Sequence, residues 1–495
     1  MRRWLIALIC LWLAIQPLGH TRDQQGPLVI GSKAFVESYV LAEIIGQFLR
    51  EQGYQVEIKQ GLGGTLVAFE ALEAHSIDLY PEYTGTLSQV ILGQPGLSEV
   101  TMRQELEARG LLIAAQLGFE NSYAIAMAQQ LADQLGIATI SDLQAHKDLK
   151  AGFSHEFLNR ADGWPALRET YGLPQKAIGI EHALAYAAIE NGSLDFTDAY
   201  TTDGELTARA LTLLKDDRDF FPHYRAVILA RAGLSNALYK ELRLLEGILS
   251  EASMSQLNHQ VSSLKQSPED VATRFLLSEG LIHRSQSINQ SRSSRIFDNV
   301  LVHLKLTGIA LLIACAIAIP SALLVASRKR LSQTVIYLTG LIQTIPALAL
   351  LALMIPVFGL GELPAIIALS LYSLLPIVRN TLTGLSSIDP LILDVAAGMG
   401  LTRSQSLRRI ELPLAAPTLL AGIKTAAIIS IGTATLAAFV GAGGLGEPII
   451  TGLNLNDNRL ILEGAIPAAL LAIAVELLFD LAGRTLVPAH LRKSS

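Results

Sequence analysis

The apolar positions of this chain fall into two regimes that meet near residue 290. From Val300 onward they form runs at 303–327, 334–358, 363–385, 414–440 and 460–483. Each run is long enough to cross a hydrocarbon core about 30 Å thick, which predicts five membrane-spanning helices. Before residue 290 the pattern is different: short apolar runs alternate with amphipathic stretches. Leu28-Val-Ile-Gly-Ser predicts a strand, Glu37 to Glu51 a helix, Tyr54-Gln-Val-Glu-Ile a second strand, and Gly63-Gly64-Thr65 the opening of another helix. Strands alternating with helices imply an α/β lobe with a mainly parallel sheet. One such lobe is expected over about 27–118 and 213–283, and a second over about 120–212, with a cleft between them that can close. The Ser-, Gln- and Asn-rich stretch from Arg284 to Arg295 predicts a tether, so 285–299 is expected to link a soluble part, 22–284, to a membrane part, 300–487.

Charge sharpens this division. Residues 22–290 carry 21 Lys/Arg against 34 Asp/Glu, whereas 291–495 carry 15 against 10. An acidic soluble part argues against nucleic acid as a partner, because phosphate binding needs a basic footprint. The two cysteines, Cys10 and Cys315, both lie in apolar runs, so neither a disulfide nor a zinc site is expected. Met1-Arg2-Arg3 followed by the apolar run Trp4 to Ile15 predicts a signal peptide or an uncleaved anchor over 1–21.

Basic residues set the orientation. Arg328, Lys329 and Arg330 follow the first span, Arg379, Arg403, Arg408 and Arg409 the third, and Arg484, Arg492 and Lys493 the fifth. Those loops are expected in the cytoplasm, which places the acidic part outside, in agreement with the signal. Pro346, Pro356 and Pro376 fall inside spans, which a bundle tolerates if neighbours satisfy the freed carbonyls. Gly441-Ala-Gly443-Gly444-Leu-Gly446 matches a dinucleotide-binding glycine pattern formally, but it follows a span rather than a strand and is read as a turn. No phosphate-cradling Gly-x4-Gly-Lys-Ser/Thr run occurs, and no Ser/His/Asp, Cys/His or metal-ligand constellation stands out. The chain is therefore expected to be neither an enzyme nor a holder of a metal or cofactor.

One cytoplasmic stretch is specific. Asp394-Val-Ala396-Ala-Gly-Met-Gly400, continuing to Ile410-Glu-Leu412-Pro413, resembles the EAA loop of ABC importer permeases, with Asp394 in place of the usual Glu. Gly400 is expected to end one helix and Pro413 to start the next. The resemblance implies an elbow over 394–413 that docks on a separate ATPase subunit, two permease chains pairing as a homodimer, and an all-α transmembrane permease domain of about five helices. Gln343-Thr-Ile-Pro-Ala-Leu and Leu371-Tyr-Ser-Leu-Leu-Pro-Ile-Val-Arg are similar to the osmoprotectant branch of these permeases.

The soluble part resembles the substrate-binding proteins of glycine betaine, choline and carnitine importers, a two-lobed α/β periplasmic-binding-protein fold of type II-like form. Gly31-Ser-Lys33-Ala-Phe35, Gly61-Leu-Gly-Gly-Thr65, Asp78-Leu-Tyr-Pro-Glu-Tyr83-Thr-Gly-Thr86, Asn121-Ser-Tyr123, Phe157-Leu-Asn-Arg160-Ala-Asp162-Gly, Asp198-Ala-Tyr200-Thr-Thr-Asp203 and Phe220-Phe-Pro-His-Tyr224 carry it. A trimethylammonium group has no N–H to donate, so electron-rich ring faces hold it best, at about 0.5–2 kcal/mol each. The resemblance implies a cage of Tyr83, Tyr123, Tyr200 and Tyr224 with Asn121 closing the wall. It also implies Lys33, Thr86 and Arg160 as donors to a ligand carboxylate. Ala34, Val36 and Ser38 replace polar residues of many relatives at the expected cleft mouth, which leaves the exact solute open. The expectation is thus a fused receptor and permease of an inner-membrane importer for a quaternary-ammonium solute. Another betaine-like zwitterion such as ergothioneine, or a sensor that binds without transporting, are the alternatives.

Overall fold

The computed structural model describes residues 26–94, 96–283 and 292–486. The signal or anchor expected over 1–21 and most of the expected tether lie outside them. In the soluble part, β1 (Leu28–Gly31), β2 (Val56–Lys59), β3 (Leu79–Tyr83) and β4 (Leu111–Glu120) build a first sheet. A second sheet follows from β5 (Tyr123–Ala128), β6 (Ala151–Ser154), β7 (Ala177–Ile180), β8 (Phe196–Tyr200) and β9 (Leu211–Leu214), and β10 (Arg225–Arg231) returns to the first.

The strand orders are β2-β1-β3-β10-β4 and β7-β6-β8-β5-β9, the same topology twice. In the first sheet β1 runs parallel to β2 and β3 while β10 is antiparallel to β3 and β4. Because β9 pairs with β5, the chain leaves the second lobe only after Leu214, later than the expected boundary near 213. An isolated Leu-Thr-Leu-Leu strand has no pattern that tells one sheet from the other. The two crossings between lobes, β4 to β5 and β9 to β10, are tied together where Asn121 N donates to Tyr224 O at 3.0 Å. That bond marks the hinge.

The stretch 247–249 lies against β4, with Gly247 N donating to Gln116 O and Leu249 N to Leu117 O. Gly118 makes this approach feasible: its φ is +105°, and a Cβ there would stand 2.7 Å from Gly247 Cα and from Leu249 O.

Among the described residues of the membrane part, four helices are long and apolar enough to cross a bilayer: Ser293–Val325, Glu362–Ser386, Arg403–Val440 and Asn458–Thr485. The helix Arg292–Val325 already includes Arg292 to Asn299, inside the stretch expected to be linker up to 299. The apolar run 334–358, expected as one span, is two helices, Lys329–Thr344 and Ala347–Phe358, bent by 90°. The break is at Ile345-Pro346, where proline lacks a donor and constrains the preceding residue to extended backbone. The bent pair still returns the chain to the soluble side, since Leu360 N donates to Ser76 Oγ of the first lobe at 3.2 Å. Counting the bent pair as one crossing gives up to five among the described residues.

Small residues let these helices approach one another. Ala310, Ala314, Ala318 and Ala322 recur every four residues on the first span and are all buried, facing the helix Glu362–Ser386 and its neighbours. Pro376 frees the carbonyl of Tyr372, and Gln343 Nε2 takes it at 2.7 Å. Lys424 is held by Glu476 at 3.1 Å and Asp480 at 2.7 Å, which accounts for three charges in the spans.

Gly118→Ala is expected to destabilise the soluble part by about 2–4 kcal/mol through overpacking and left-handed strain. Gly110→Ala, whose φ is +72° but whose Cβ would meet open space, should cost about 1 kcal/mol. Thermal unfolding of the purified chain carrying either change measures the difference; equal losses would contradict the packing account.

Candidate functional site

Between the lobes the structure gathers a buried cluster of rings. Tyr83 ends β3, Tyr123 begins β5, Tyr200 ends β8 and Tyr224 stands just before β10, so four strand ends converge on one place. Tyr123 lies 5.1 Å from Tyr200 and 5.8 Å, edge-on, from Tyr224, centroid to centroid. Phe35 bridges the lobes, 6.4 Å from Tyr83 and 5.6 Å from Tyr200. Phe157 and Phe221 back Tyr123 at 4.9 and 6.4 Å. All four expected tyrosines are therefore brought together, and three phenylalanines join them. Phe35, Phe157 and Phe221 all lie in the sequence segments that carried the resemblance, but nothing in a lone phenylalanine separates a wall residue from packing.

Two cations press on these rings. Lys33 Nζ sits 4.9 Å from the Tyr83 centroid and 5.6 Å from that of Phe35, and the Arg160 guanidinium 5.2 Å from that of Tyr123. Each is already paired. Lys33 Nζ donates to Glu82 Oε1 at 2.6 Å, with both side chains buried. Arg160 grips Asp162 with two bonds of 2.7 and 2.6 Å and reaches Glu156 at 3.2 Å. Asp162 also accepts from the Tyr224 hydroxyl at 2.5 Å. Burial works against the Asp162 carboxylate, yet Arg160 and Tyr224 hold it below the usual range. Thr86 is buried in the helical turn after β3. Ser38 is buried beneath the cleft rather than at its mouth, accepting from Lys33 N at 2.8 Å.

The centre of the site is a residue that the sequence did not single out. Glu37, on the first turn of the helix Val36–Glu51, is buried and accepts four hydrogen bonds. The Tyr83 hydroxyl and Asn121 Nδ2 donate to Oε1 at 2.5 and 2.8 Å, and the Thr202 hydroxyl and Asn258 Nδ2 donate to Oε2 at 2.5 and 2.8 Å. Tyr83 and Asn258 belong to the first lobe, Thr202 to the second, and Asn121 to the hinge. Burial raises the Glu37 carboxyl above its ordinary value, while the four donors pull it down. An acid on the first turn of a helix is the available signal, but its partners lie 46 to 221 residues away.

Behind Tyr200, His182 stacks at 4.8 Å and lies 3.1 Å from Asp203 and 3.6 Å from Asp198. Burial disfavours its charge, but the two carboxylates outweigh that and hold the imidazolium well above its ordinary pKa of 6.5.

A second site lies at the far end of the membrane part. The helix Pro390–Gly398 carries Asp394, exposed, and Ala396, buried. It ends at Gly400, whose φ of +79° closes the turn with Gly400 N on Ala397 O and Leu401 N on Ala396 O. Pro413 does not start the next helix as expected. Thr402 caps it, with Gln405 completing a capping box, and it widens into a π-turn over Leu407–Glu411 before continuing as Leu412–Ala434. The wide turn relieves the clash of the Pro413 ring with the preceding turn. Ile410 and Leu412 are half-buried there. Arg403 donates to buried Glu411 at 2.5 Å and Ser406 does so at 3.1 Å, pinning the elbow. Leu391, Val395 and Met399 are left exposed at 66, 55 and 75% along one face.

Since His182 titrates above its ordinary pKa, its ion pairs contribute fully below about pH 6.5 and are lost as pH rises through the folded-state value. The thermal midpoint of the soluble part should fall on the alkaline side, and His182→Gln should remove that fall. Parallel pH profiles for the two proteins would contradict the assignment.

Residues 26–278 match the family described as the substrate binding domain of ABC-type glycine betaine transport systems, and residues 314–491 match the binding-protein-dependent transport system inner membrane component. The membrane half is 39% identical over 212 residues to the choline transport system permease protein OpuBB of Bacillus subtilis, covering 43% of this chain and 98% of that one. It is 43% identical over 200 residues to the carnitine transport permease protein OpuCD of Listeria monocytogenes, covering 40 and 90%. To the glycine betaine/carnitine/choline permease protein OpuCD of Bacillus subtilis it is 45% identical over 194 residues, covering 39 and 85%. With both halves matched in one polypeptide, the chain belongs to the glycine betaine/choline/carnitine family of ABC importers, as an inner-membrane protein in which the substrate-binding domain and the permease are fused.

Proposed function

We propose that the receptor half binds a trimethylammonium solute in the ring cluster and that closure of the two lobes around it licenses transfer to the permease. The observation that carries this is the convergence of Tyr83, Tyr123, Tyr200, Tyr224 and Phe35 from both lobes on one point. Rings 5 to 6 Å apart fill the space between them, so a ligand enters only when the lobes part. A quaternary cation then replaces ring–ring contact with ring–cation contact, about 0.5–2 kcal/mol per face. The tyrosine hydroxyls of Tyr123 and Tyr200 stay neutral, since burial raises them well above their ordinary range.

Lys33 and Arg160 act as cationic posts behind Tyr83 and Tyr123, each drawn toward internal carboxylates, Lys33 to Glu82 and Arg160 to Asp162 and Glu156. With Glu37 added, acids outnumber bases around the rings. That balance favours a ligand carrying net positive charge, such as choline, over a zwitterion whose carboxylate would have to displace one of these acids.

In the membrane half, the exposed Leu391, Val395 and Met399 face is the dock for a separate ATPase subunit, with Gly400 and the pinned π-turn fixing its angle. Two copies of the chain pair so that two elbows meet two ATPases.

Calorimetric titration of the purified full chain tests the receptor reading. Choline is expected to bind at least as tightly as glycine betaine, its dimethylamine analogue at least tenfold more weakly, and Tyr200→Ala to weaken choline about tenfold or more, since one or two ring contacts are lost. Tighter binding of betaine or ergothioneine than of choline would return Lys33 and Arg160 to a carboxylate role. For the dock, Met399→Glu should leave choline binding unchanged while reducing co-purification of the ATPase at least fivefold; undiminished co-purification would rule that face out.

A further inference from the structure

The helix Val36–Glu51 has two functional faces. Glu37 points into the cleft, where it collects donors from both lobes and the hinge. Tyr39 is two residues on, about 200° around the helix and so on the opposite side. It is fully buried, and its hydroxyl accepts from Asn454 Nδ2 of the permease at 2.8 Å. Asn454 is the last residue of the helix Gly446–Asn454, which packs on the final span. The approach is built for: Gly61 has φ +71°, and a Cβ there would stand 2.9 Å from the Tyr39 hydroxyl. The next permease residue, Leu455, is buried within the receptor's own apolar core, and its carbonyl accepts from Lys265 Nζ at 2.9 Å.

Other contacts fix this seating. Leu360, in the turn between the bent helix pair and the next span, packs on the apolar cluster that contains Val29, Leu62 and Ile77. Its amide donates to Ser76 Oγ. Leu62 also meets Gly441 of the outer glycine-rich turn, where a Cβ would lie 3.2 Å away. Each of these contacts comes from the first lobe, so the second lobe is the one that swings when the cleft opens. Opening removes the Thr202 bond to Glu37 and with it the constraint on the first turn of the helix that bears Tyr39.

We propose that the helix Val36–Glu51 is the relay between solute and channel: the first lobe stays docked on the permease of its own chain, and the Glu37 bond set transmits closure through Tyr39 to Asn454 and the outer end of the last span. Tyr39 and Asn454 are positioning residues that touch no solute. The relay rests on the reading above that the lobes close on a quaternary ammonium, and its test separates the two.

The full chain, reconstituted with its ATPase in proteoliposomes, is assayed with choline and glycine betaine as probes. Tyr39→Phe and Asn454→Ala are expected to keep the wild-type affinity for the better probe within twofold while solute stimulation of ATP hydrolysis falls at least fivefold. Unchanged affinity with undiminished stimulation in both variants would overturn the relay. Failure of the wild type to bind either probe would instead sink the ligand reading. Docking is decided independently by the double variant Ser76→Cys, Gly359→Cys, where a Cβ on Gly359 would stand 2.9 Å from the Ser76 Oγ, within disulfide reach: oxidation should give a disulfide within one chain, and a chain-to-chain disulfide, or none, would overturn docking in cis.

Discussion

The receptor is organised around one buried carboxylate. A charge away from water is sustained only by several well-aimed donors, and Glu37 has four. Because those donors come from both lobes and the hinge, the bond set is complete only when the lobes meet. Tyr83 is held in place by the same carboxylate, so the first wall of the ring cluster and the closed state are specified together. Removing one donor would leave a buried acceptor short, a cost of about 1–3 kcal/mol, which is comparable with what a ligand supplies through one or two ring faces.

This constraint explains why charge around the cleft is so fully paired. Lys33 with Glu82, and Arg160 with Asp162, are short and buried. Each places a positive charge against a ring while cancelling it with an acid. The rings are thereby fixed in position by electrostatics as well as packing.

Much of this was legible in the sequence, for identifiable reasons. The tyrosines stand at strand ends, where α/β sheets present ligand-binding residues, and the segments flanking them are distinctive. Apolar runs report a span's length, and Gly400 reports a helix end, because only local chemistry is involved. What was not legible depends on direction or distance. The run 334–358 has the composition of a single span, and composition does not encode the 90° turn at Ile345-Pro346. Arg292 to Asn299 is polar enough to read as linker, yet it continues the first span because the helix Arg292–Val325 extends beyond its apolar stretch. The partner of Lys33 is 49 residues away and those of Glu37 farther still in part, so neither set of contacts leaves a mark on the local sequence.

The fusion gives the closed state a mechanical consequence, since the same helix faces the cleft and the permease. Lobe closure is therefore the event on which binding and transport both depend. Its direct measurement is the distance between spin labels at Leu66 in the first lobe and Ile178 in the second, both well exposed at 56 and 59%, in the full chain with and without choline. Without solute the distribution should be long and broad; choline should collapse it to a single short distance, and should fail to do so in Glu37→Ala. A distribution that choline leaves unchanged, or that collapses equally in Glu37→Ala, would contradict this.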